Sequence, residues 1–154
     1  MSPCPILPGQ LPVYYNSKDS YRRGAYCDVG IPQFSFGFGV SGTAFSYVLL
    51  QSPAAEDLRL TFRIANTGAC PGWAVPQLYL HRTQGIATSR IRQLCGFCKL
   101  YLAPGETREL TIPIPAESLI QWDAADRPVT PPGAIEWFLA DEGENRLQGI
   151  FVLN

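Results

Sequence analysis

The chain has 154 residues, 46% of them hydrophobic and 16% charged, which is enough for one domain with its own core. Its formal net charge of −1 argues against a nucleic-acid partner or an acidic membrane surface. No apolar run approaches the roughly 18–20 residues that span a bilayer. The first residues lack the basic and apolar regions of a signal peptide, so we expect a cytoplasmic chain without a membrane partner.

Residues 1–44 are rich in Pro, Gly, Tyr and Phe and show no sustained period, so we predict an extended, irregular arm. Within it, "PQFSFGFGV" places Phe34, Phe36 and Phe38 at alternate positions. Alternate side chains of an extended segment point to the same side, so we expect these three rings to lie along one side of the arm. Tyr14 and Tyr15 form a second aromatic pair in the same arm.

From Phe45 onward the pattern changes to an alternation of apolar and polar residues, which predicts strands. "DLRLTFRIANTG" is the clearest case, and its last three residues, 66–68, are turn formers that end the strand. Four apolar side chains share one face of this predicted strand: Leu58, Leu60, Phe62 and Ile64. "AVPQLYLHRT" alternates in the same way and predicts the next strand.

"GFCKLYLAPGETRELTIPI" predicts two strands around a type II turn at Pro104-Gly105, because glycine adopts the positive φ of that turn at little cost. Pro113 cannot donate a ladder hydrogen bond, so we place the second of these strands at a sheet edge or at a bulge. "PAESLIQWD" predicts one helical turn. "AIEWFLADEGENRLQGIFVLN" predicts a closing hairpin with Trp137 in the core.

About seven short strands, with turn signals every ten or so residues, predict an all-β fold for residues 45–154. The physical solution for such a pattern is two antiparallel sheets packed face to face, as in an immunoglobulin-like sandwich.

The sequence offers little catalytic chemistry. Cys95 and Cys98 form a C-x-x-C pair inside a predicted strand, where residues three apart face opposite sides, so we interpret them as ordinary thiols. His81 is the only histidine and lies in a predicted strand, so we predict no catalytic, metal or cofactor site. Trp73 and Trp122 lie near turns and are candidates for exposed contact with a sugar ring.

Several segments resemble family 3 glycoside hydrolases, the β-glucosidase and β-xylosidase group. "FSFGFGVSGTAFSY" is similar to that family's "YPFGYGLSYTTF", and "LPVYYN" is similar to its "LPIYYN". "IANTGACPGWAVPQLYL" resembles "VTNTGKVAGKEVVQLYV", and "IRQLCGFCKLYLAPGETRELTIPI" resembles "VKELKGFKKVFLKPGETKTVTFTL". The likeness runs in the family's order over roughly residues 11–152 and implies the C-terminal fibronectin type III-like domain with its preceding linker.

The resemblance implies a function by context. In that family an α/β barrel carries the nucleophilic Asp and a second α/β domain commonly supplies the acid/base, and no position here matches either motif. We therefore expect a non-catalytic accessory domain that packs against such catalytic domains, in cis or in trans. The expected contacts are the arm aromatics Tyr14, Tyr15, Phe34, Phe36 and Phe38. Without a partner these rings fold back on the sandwich or are exchanged between two copies, giving an arm-swapped homodimer.

Another function class stays open on the sequence. The chain also fits an independent carbohydrate-binding module that uses exposed Trp73, Trp122 or the Tyr14–Tyr15 pair. A stand-alone glycosidase is the least favoured reading, because no pair of carboxylates frames a cleft in the predicted strands.

Overall fold

The computed structural model describes residues 34–87 and 89–154, so Tyr14 and Tyr15 lie outside the described part of the chain. This part contains a single short 3-10 helix, Ala116–Leu119, and none of its helices is long and apolar enough to cross a membrane. It also contains eleven strands: β1 Phe45–Gln51, β2 Arg59–Asn66, β3 Gly72–Ala74, β4 Gln77–Arg82, β5 Gln93–Phe97, β6 Leu100–Leu102, β7 Thr107–Pro113, β8 Gln121–Trp122, β9 Pro128–Val129, β10 Gly133–Asp141 and β11 Glu144–Leu153.

The strands form two main antiparallel sheets with the orders β1-β2-β7 and β11-β10-β4-β5. Two small ribbons, β3-β6 and β8-β9, flank them. The predicted all-β sandwich is thus confirmed. Its closing hairpin is β10–β11, and the predicted helical turn is the 3-10 helix.

The core fills the space between the two main sheets. Alternation along β2 buries Leu60, Phe62 and Ile64 completely, because every second side chain faces the opposite sheet. Trp137 on β10 is also fully buried, as the sequence predicts. Gly149 on the neighbouring β11 makes room for its indole, since a Cβ there would lie 2.7 Å from the Trp137 Cζ2 atom. Burying one such large side chain stabilises the fold by about 2–3 kcal/mol.

The predicted turn and edge in the middle of the chain are confirmed. The Glu106 N–H donates to the Ala103 carbonyl at 3.0 Å, and Gly105 has φ +75°, as a type II turn requires. Pro113 ends β7, which is an outer strand of its sheet.

The prediction of one continuous strand before that turn is wrong. β5 pairs with β4, whereas β6 pairs with β3 in a separate ribbon. The β4–β5 register shifts next to Cys95, and such a bulge bends a strand away from its partner. Cys98 then donates its N–H to the Pro76 carbonyl outside the ladder, so the chain leaves the sheet there.

Neither thiol of the C-x-x-C pair is activated. Burial raises the pKa of Cys95 to about 12 and that of Cys98 to about 11. The Cys95 thiol donates to the Leu78 carbonyl at 3.3 Å. Both side chains are therefore protonated at neutral pH and pack against the core.

Candidate interdomain surface

Residues 34–44, here called the segment before β1, contain a tight turn. The Phe38 N–H donates to the Ser35 carbonyl at 3.1 Å, and Gly37 has φ +83°. The expectation of three rings along one side of an extended arm is therefore wrong. The turn instead places the Phe34 ring on the Phe38 ring, with centroids 4.6 Å apart, and directs Phe36 to a different partner.

That partner is Tyr79 on β4. The Phe36 ring meets the Tyr79 ring edge-on, with centroids 6.5 Å apart and planes at 87°, a favourable arrangement for an aromatic pair. The Tyr79 hydroxyl donates to the Gln77 Oε1 atom at 2.5 Å. A Cβ on Gly37 would lie 2.7 Å from the same Oε1 atom. The positive φ is the feature that favours glycine at position 37, since the Gln77 side chain can shift away from a Cβ.

The β10–β11 hairpin supports the other side of the segment. Its two turn residues, Glu142 and Gly143, have φ values of +54° and +83°. Positive φ at both positions is typical of a type I′ turn, whose twist matches the right-handed twist of the two strands. The Glu142 carboxylate accepts the Ser41 N–H at 2.6 Å. Gly143 lies so close to Phe38 that a Cβ would be 3.2 Å from the Phe38 Cα atom. Residues 36–41 thereby contact β4 through Phe36 and the β10–β11 hairpin through Phe38 and Ser41.

A buried carboxylate, Asp141, lies next to the contact between Glu142 and Ser41. Asp141, at the end of β10, is only 3% exposed and accepts hydrogen bonds from the Tyr47 hydroxyl, the Val75 N–H at 3.2 Å and the Glu142 N–H at 3.0 Å. Desolvation raises the pKa of Asp141, although these hydrogen bonds oppose the shift. Burial and the neighbouring Asp141 also raise the pKa of Tyr47.

Three more aromatic side chains come from the β3–β6 ribbon and the end of β5. Trp73 pairs with Tyr101 across the ribbon, and their ring centroids are 5.2 Å apart. The Lys99 Nζ atom lies 4.7 Å above the Trp73 ring, within the range of a cation–π contact. Trp73, Tyr101 and Phe97 are 52%, 49% and 66% exposed. The neighbours of Trp73 in β3 are buried, so the alternation directs its indole outward.

These side chains surround one groove of about 650 Å³, here called the aromatic groove. Its walls include Phe36 and Phe38 from the segment before β1, Trp73 and Tyr101 from the ribbon, and Phe97 from β5. Exposed apolar patches of this kind mark interaction sites, and aromatic side chains are enriched in the centres of protein interfaces.

The structure separates the two tryptophans predicted to contact sugar. Trp73 lines the aromatic groove, whereas Trp122, 62% exposed on β8, lines a different cavity. Sequence reasoning missed Phe97, Lys99 and Tyr101 as members of the groove. Their alternation in "FCKLYL" is the signal that identifies an outward face, since the residues between them face inward.

Residues 74–142 match the family described as Fibronectin type III-like domain. The chain is 31% identical to a periplasmic β-glucosidase of Salmonella typhimurium, over 94% of this chain and 21% of that protein. It is 28% identical to a probable β-glucosidase D of Emericella nidulans, over 92% of this chain and 21% of that protein. The chain thus spans about a fifth of the length of these curated relatives.

Solved structures share the fold. The crystal structure of a β-glucosidase from Listeria innocua in complex with glucose matches 97% of this chain with a TM-score of 0.84, and the match covers 23% of that chain. At 23% identity this likeness concerns the fold alone.

Proposed function

We infer that this chain, a fibronectin type III-like domain of the family 3 glycoside hydrolase type, is a non-catalytic accessory domain that packs against the catalytic domains of a parent enzyme. The observation that carries the proposal is the exposed aromatic groove, held in shape by the segment before β1. In this role the domain covers a face of the catalytic domains and stabilises their arrangement.

The energetics favour a protein partner for the groove. Trp73, Phe97 and Tyr101 each leave about half or more of their surface in water. Complete burial of a fully exposed ring contributes about 2–3 kcal/mol, so covering the exposed half of each ring contributes about 1 kcal/mol per ring on association. Tryptophan and tyrosine are also enriched among the residues that dominate interface energetics.

The acidic groups beside the groove support a role without catalysis. Burial raises the pKa of Asp141, but this residue is 3% exposed and its oxygens already accept three hydrogen bonds. Its neighbour Glu142 accepts the Ser41 N–H and pairs with Arg146 at 3.4 Å. A general acid must reach the substrate within hydrogen-bond distance, and the burial of Asp141 keeps its carboxylate from doing so.

A chimeric enzyme tests this proposal. The portion of the Salmonella β-glucosidase that aligns with this chain would be replaced by this chain, and the melting temperature and aryl-β-glucoside hydrolysis would be measured. We expect an active chimera that is destabilised by the pair Trp73→Ser and Phe97→Ser. The matched control is Trp122→Ser with Ile150→Ser, since both residues are exposed apolar residues outside the groove. Equal effects of the two pairs would contradict an interface at the groove.

The carbohydrate-binding module stays a second candidate, because Trp73 presents an exposed indole within a groove that also holds polar groups. Affinity electrophoresis on soluble polysaccharides separates the two functions. An accessory domain migrates without retardation, whereas a binding module is retarded and loses the effect with Trp73→Ala.

The arm-swapped homodimer also stays a prediction. Within one chain, Phe36 already contacts Tyr79 of its own β4, which supports the folded-back alternative for this part of the arm. Gel filtration with light scattering distinguishes the two, since only the swapped form has twice the mass of the 17.0 kDa chain.

A further inference from the structure

A second cavity of about 370 Å³ lies at the far end of β4. β4 runs from Gln77, which lines the aromatic groove, to Arg82, which lines this cavity. At about 3.3 Å per residue the two ends are roughly 16 Å apart, so the cavity is a separate site from the groove. We call the cavity the arginine pocket, and five of its lining residues matter here: Arg82, Gln93, Ser118, Gln121 and Trp122.

Arg82 is buried, and no carboxylate of residues 34–87 or 89–154 forms an ion pair with it. Its side chain belongs to a residue only 9% exposed and donates to the Pro131 carbonyl at 2.8 Å and to the Leu119 carbonyl at 3.0 Å. A guanidinium carries five N–H donors, so three remain for other acceptors. Burial lowers the pKa of Arg82.

Other arginines in residues 34–87 and 89–154 do form ion pairs with acidic side chains. Five exposed or half-buried arginines each pair with a nearby acid: Arg59, Arg63, Arg108, Arg127 and Arg146. Arg82 forms no such ion pair within the described chain, and no Asp or Glu lines its pocket. Buried charges are normally paired, because desolvating an isolated ion is costly. The pocket therefore favours an anion supplied from outside the domain.

The walls of the pocket are held in place by specific contacts. The Gln121 Oε1 atom accepts the Ile86 N–H at 3.0 Å, which ties the loop after β4 to β8. A Cβ on Gly85 would lie 2.6 Å from the same side-chain amide, so glycine permits this close approach. Trp122, the next residue of β8, keeps most of its indole exposed at the rim.

We propose that the arginine pocket binds the carboxylate of a small hydroxylated ligand, of the sugar-acid class, with Arg82 as the cation that recognises it. A volume of about 370 Å³ falls within the range of small-molecule sites. A guanidinium binds a carboxylate through parallel charge-assisted hydrogen bonds. Ser118 and Gln93 offer partners for hydroxyl groups, and the indole of Trp122 offers an apolar face for a ring. This proposal does not depend on the accessory role.

The test is an NMR titration of the 154-residue chain with glucuronate. Glucose, which lacks the carboxylate, is the uncharged control ligand. We expect saturable shifts of backbone amides around Arg82, Gln93 and Gln121 with glucuronate and none with glucose. Arg82→Gln should weaken binding by about tenfold or more, which corresponds to about 1.4 kcal/mol. Arg63→Gln on β2 removes the same charge outside the pocket and should leave the affinity unchanged.

A second variant keeps the test decisive if Arg82→Gln does not fold. Trp122 is exposed, so Trp122→Ala should fold and bind glucuronate several-fold more weakly, because its ring no longer contacts the ligand. Three results would overturn the proposal: no saturable shifts with glucuronate, equal binding of glucose, or an affinity that neither pocket variant changes.

Discussion

The hydroxyl of Tyr47 on β1 donates a hydrogen bond to the buried carboxylate of Asp141 at the end of β10. These two strands belong to different main sheets, so the contact joins the sheets through side chains at the edge of the aromatic groove. Val75, between β3 and β4, donates its N–H to the same carboxylate. The Asp141 side chain therefore connects β1, the link between β3 and β4, and the end of β10.

Removing the Tyr47 hydroxyl should destabilise the domain. Tyr47→Phe leaves one oxygen of a buried carboxylate without that donor, and such a loss costs about 1–3 kcal/mol. Urea denaturation measures the free energy of unfolding. Tyr101→Phe, which removes the hydroxyl of a half-exposed tyrosine, is the control and should change it little. Equal effects of the two substitutions would show that the Tyr47–Asp141 bond contributes nothing to stability.

Asp141 should give the stability a defined pH dependence. Its pKa is raised in the folded state, so between the unfolded and folded pKa values the folded protein binds more protons than the unfolded chain. The contribution of Asp141 to stability therefore falls as the pH rises from about 4, the ordinary pKa of Asp, through the folded pKa.

Asp141→Asn removes this titration and isolates its effect. The free energy of unfolding of the wild type, minus that of Asp141→Asn, should decrease between acidic and neutral pH in a series of urea titrations. A difference that increases with pH would mean that the hydrogen bonds to the carboxylate outweigh its desolvation.

Gly37 should be essential for the segment before β1. Gly37→Ala places a side chain at φ +83° and a Cβ 2.7 Å from the Gln77 amide, and a strained backbone position of this kind costs about 1–3 kcal/mol. We expect loss of the contact between Phe36 and Tyr79, measured by NOEs between their rings. Gly39→Ala meets no atom within 4 Å and should preserve those NOEs. Intact ring contacts in Gly37→Ala would contradict the turn described here.

Gly149 should be required by the core. Gly149→Ala directs a methyl group at the Trp137 indole, 2.7 Å from its Cζ2 atom, and overpacking of this kind costs about 1–3 kcal/mol. Thermal unfolding measures the loss. Gln148→Ala, at the exposed neighbouring position of β11, should leave the melting temperature nearly unchanged. A Gly149→Ala protein as stable as Gln148→Ala would show that the indole moves without cost.

Local pattern predicts much of the sandwich. The alternation in β2, the Pro104–Gly105 turn and the burial of Trp137 all follow from residues close in sequence. Asn66 shows the limit of such reasoning. It reads as a turn residue, yet it is buried and its amide donates to the Cys70 and Leu102 carbonyls. The second of those partners is 36 residues away, so no local pattern reveals it.

The candidate sites depend even more on distant contacts. The turn at Gly37 is stabilised by β4 and by the β10–β11 hairpin, neither of which is visible from "FSFGFG" alone. The partners of Arg82 are carbonyl groups 37 and 49 residues away. The sequence therefore indicates that the phenylalanines of the arm are unusually dense. Their arrangement in space follows from the packing of the sandwich.

Hydroxyl-radical footprinting tests the central claim most directly, namely that the aromatic groove is covered by catalytic domains. The isolated chain would be compared with the protein captured from its source cells by an antibody against the chain. We predict that Trp73 is oxidised much more slowly in the captured protein, whereas Trp122, exposed at the other cavity, is oxidised equally in both. Equal oxidation of Trp73 in the two samples would contradict an interdomain role for the groove.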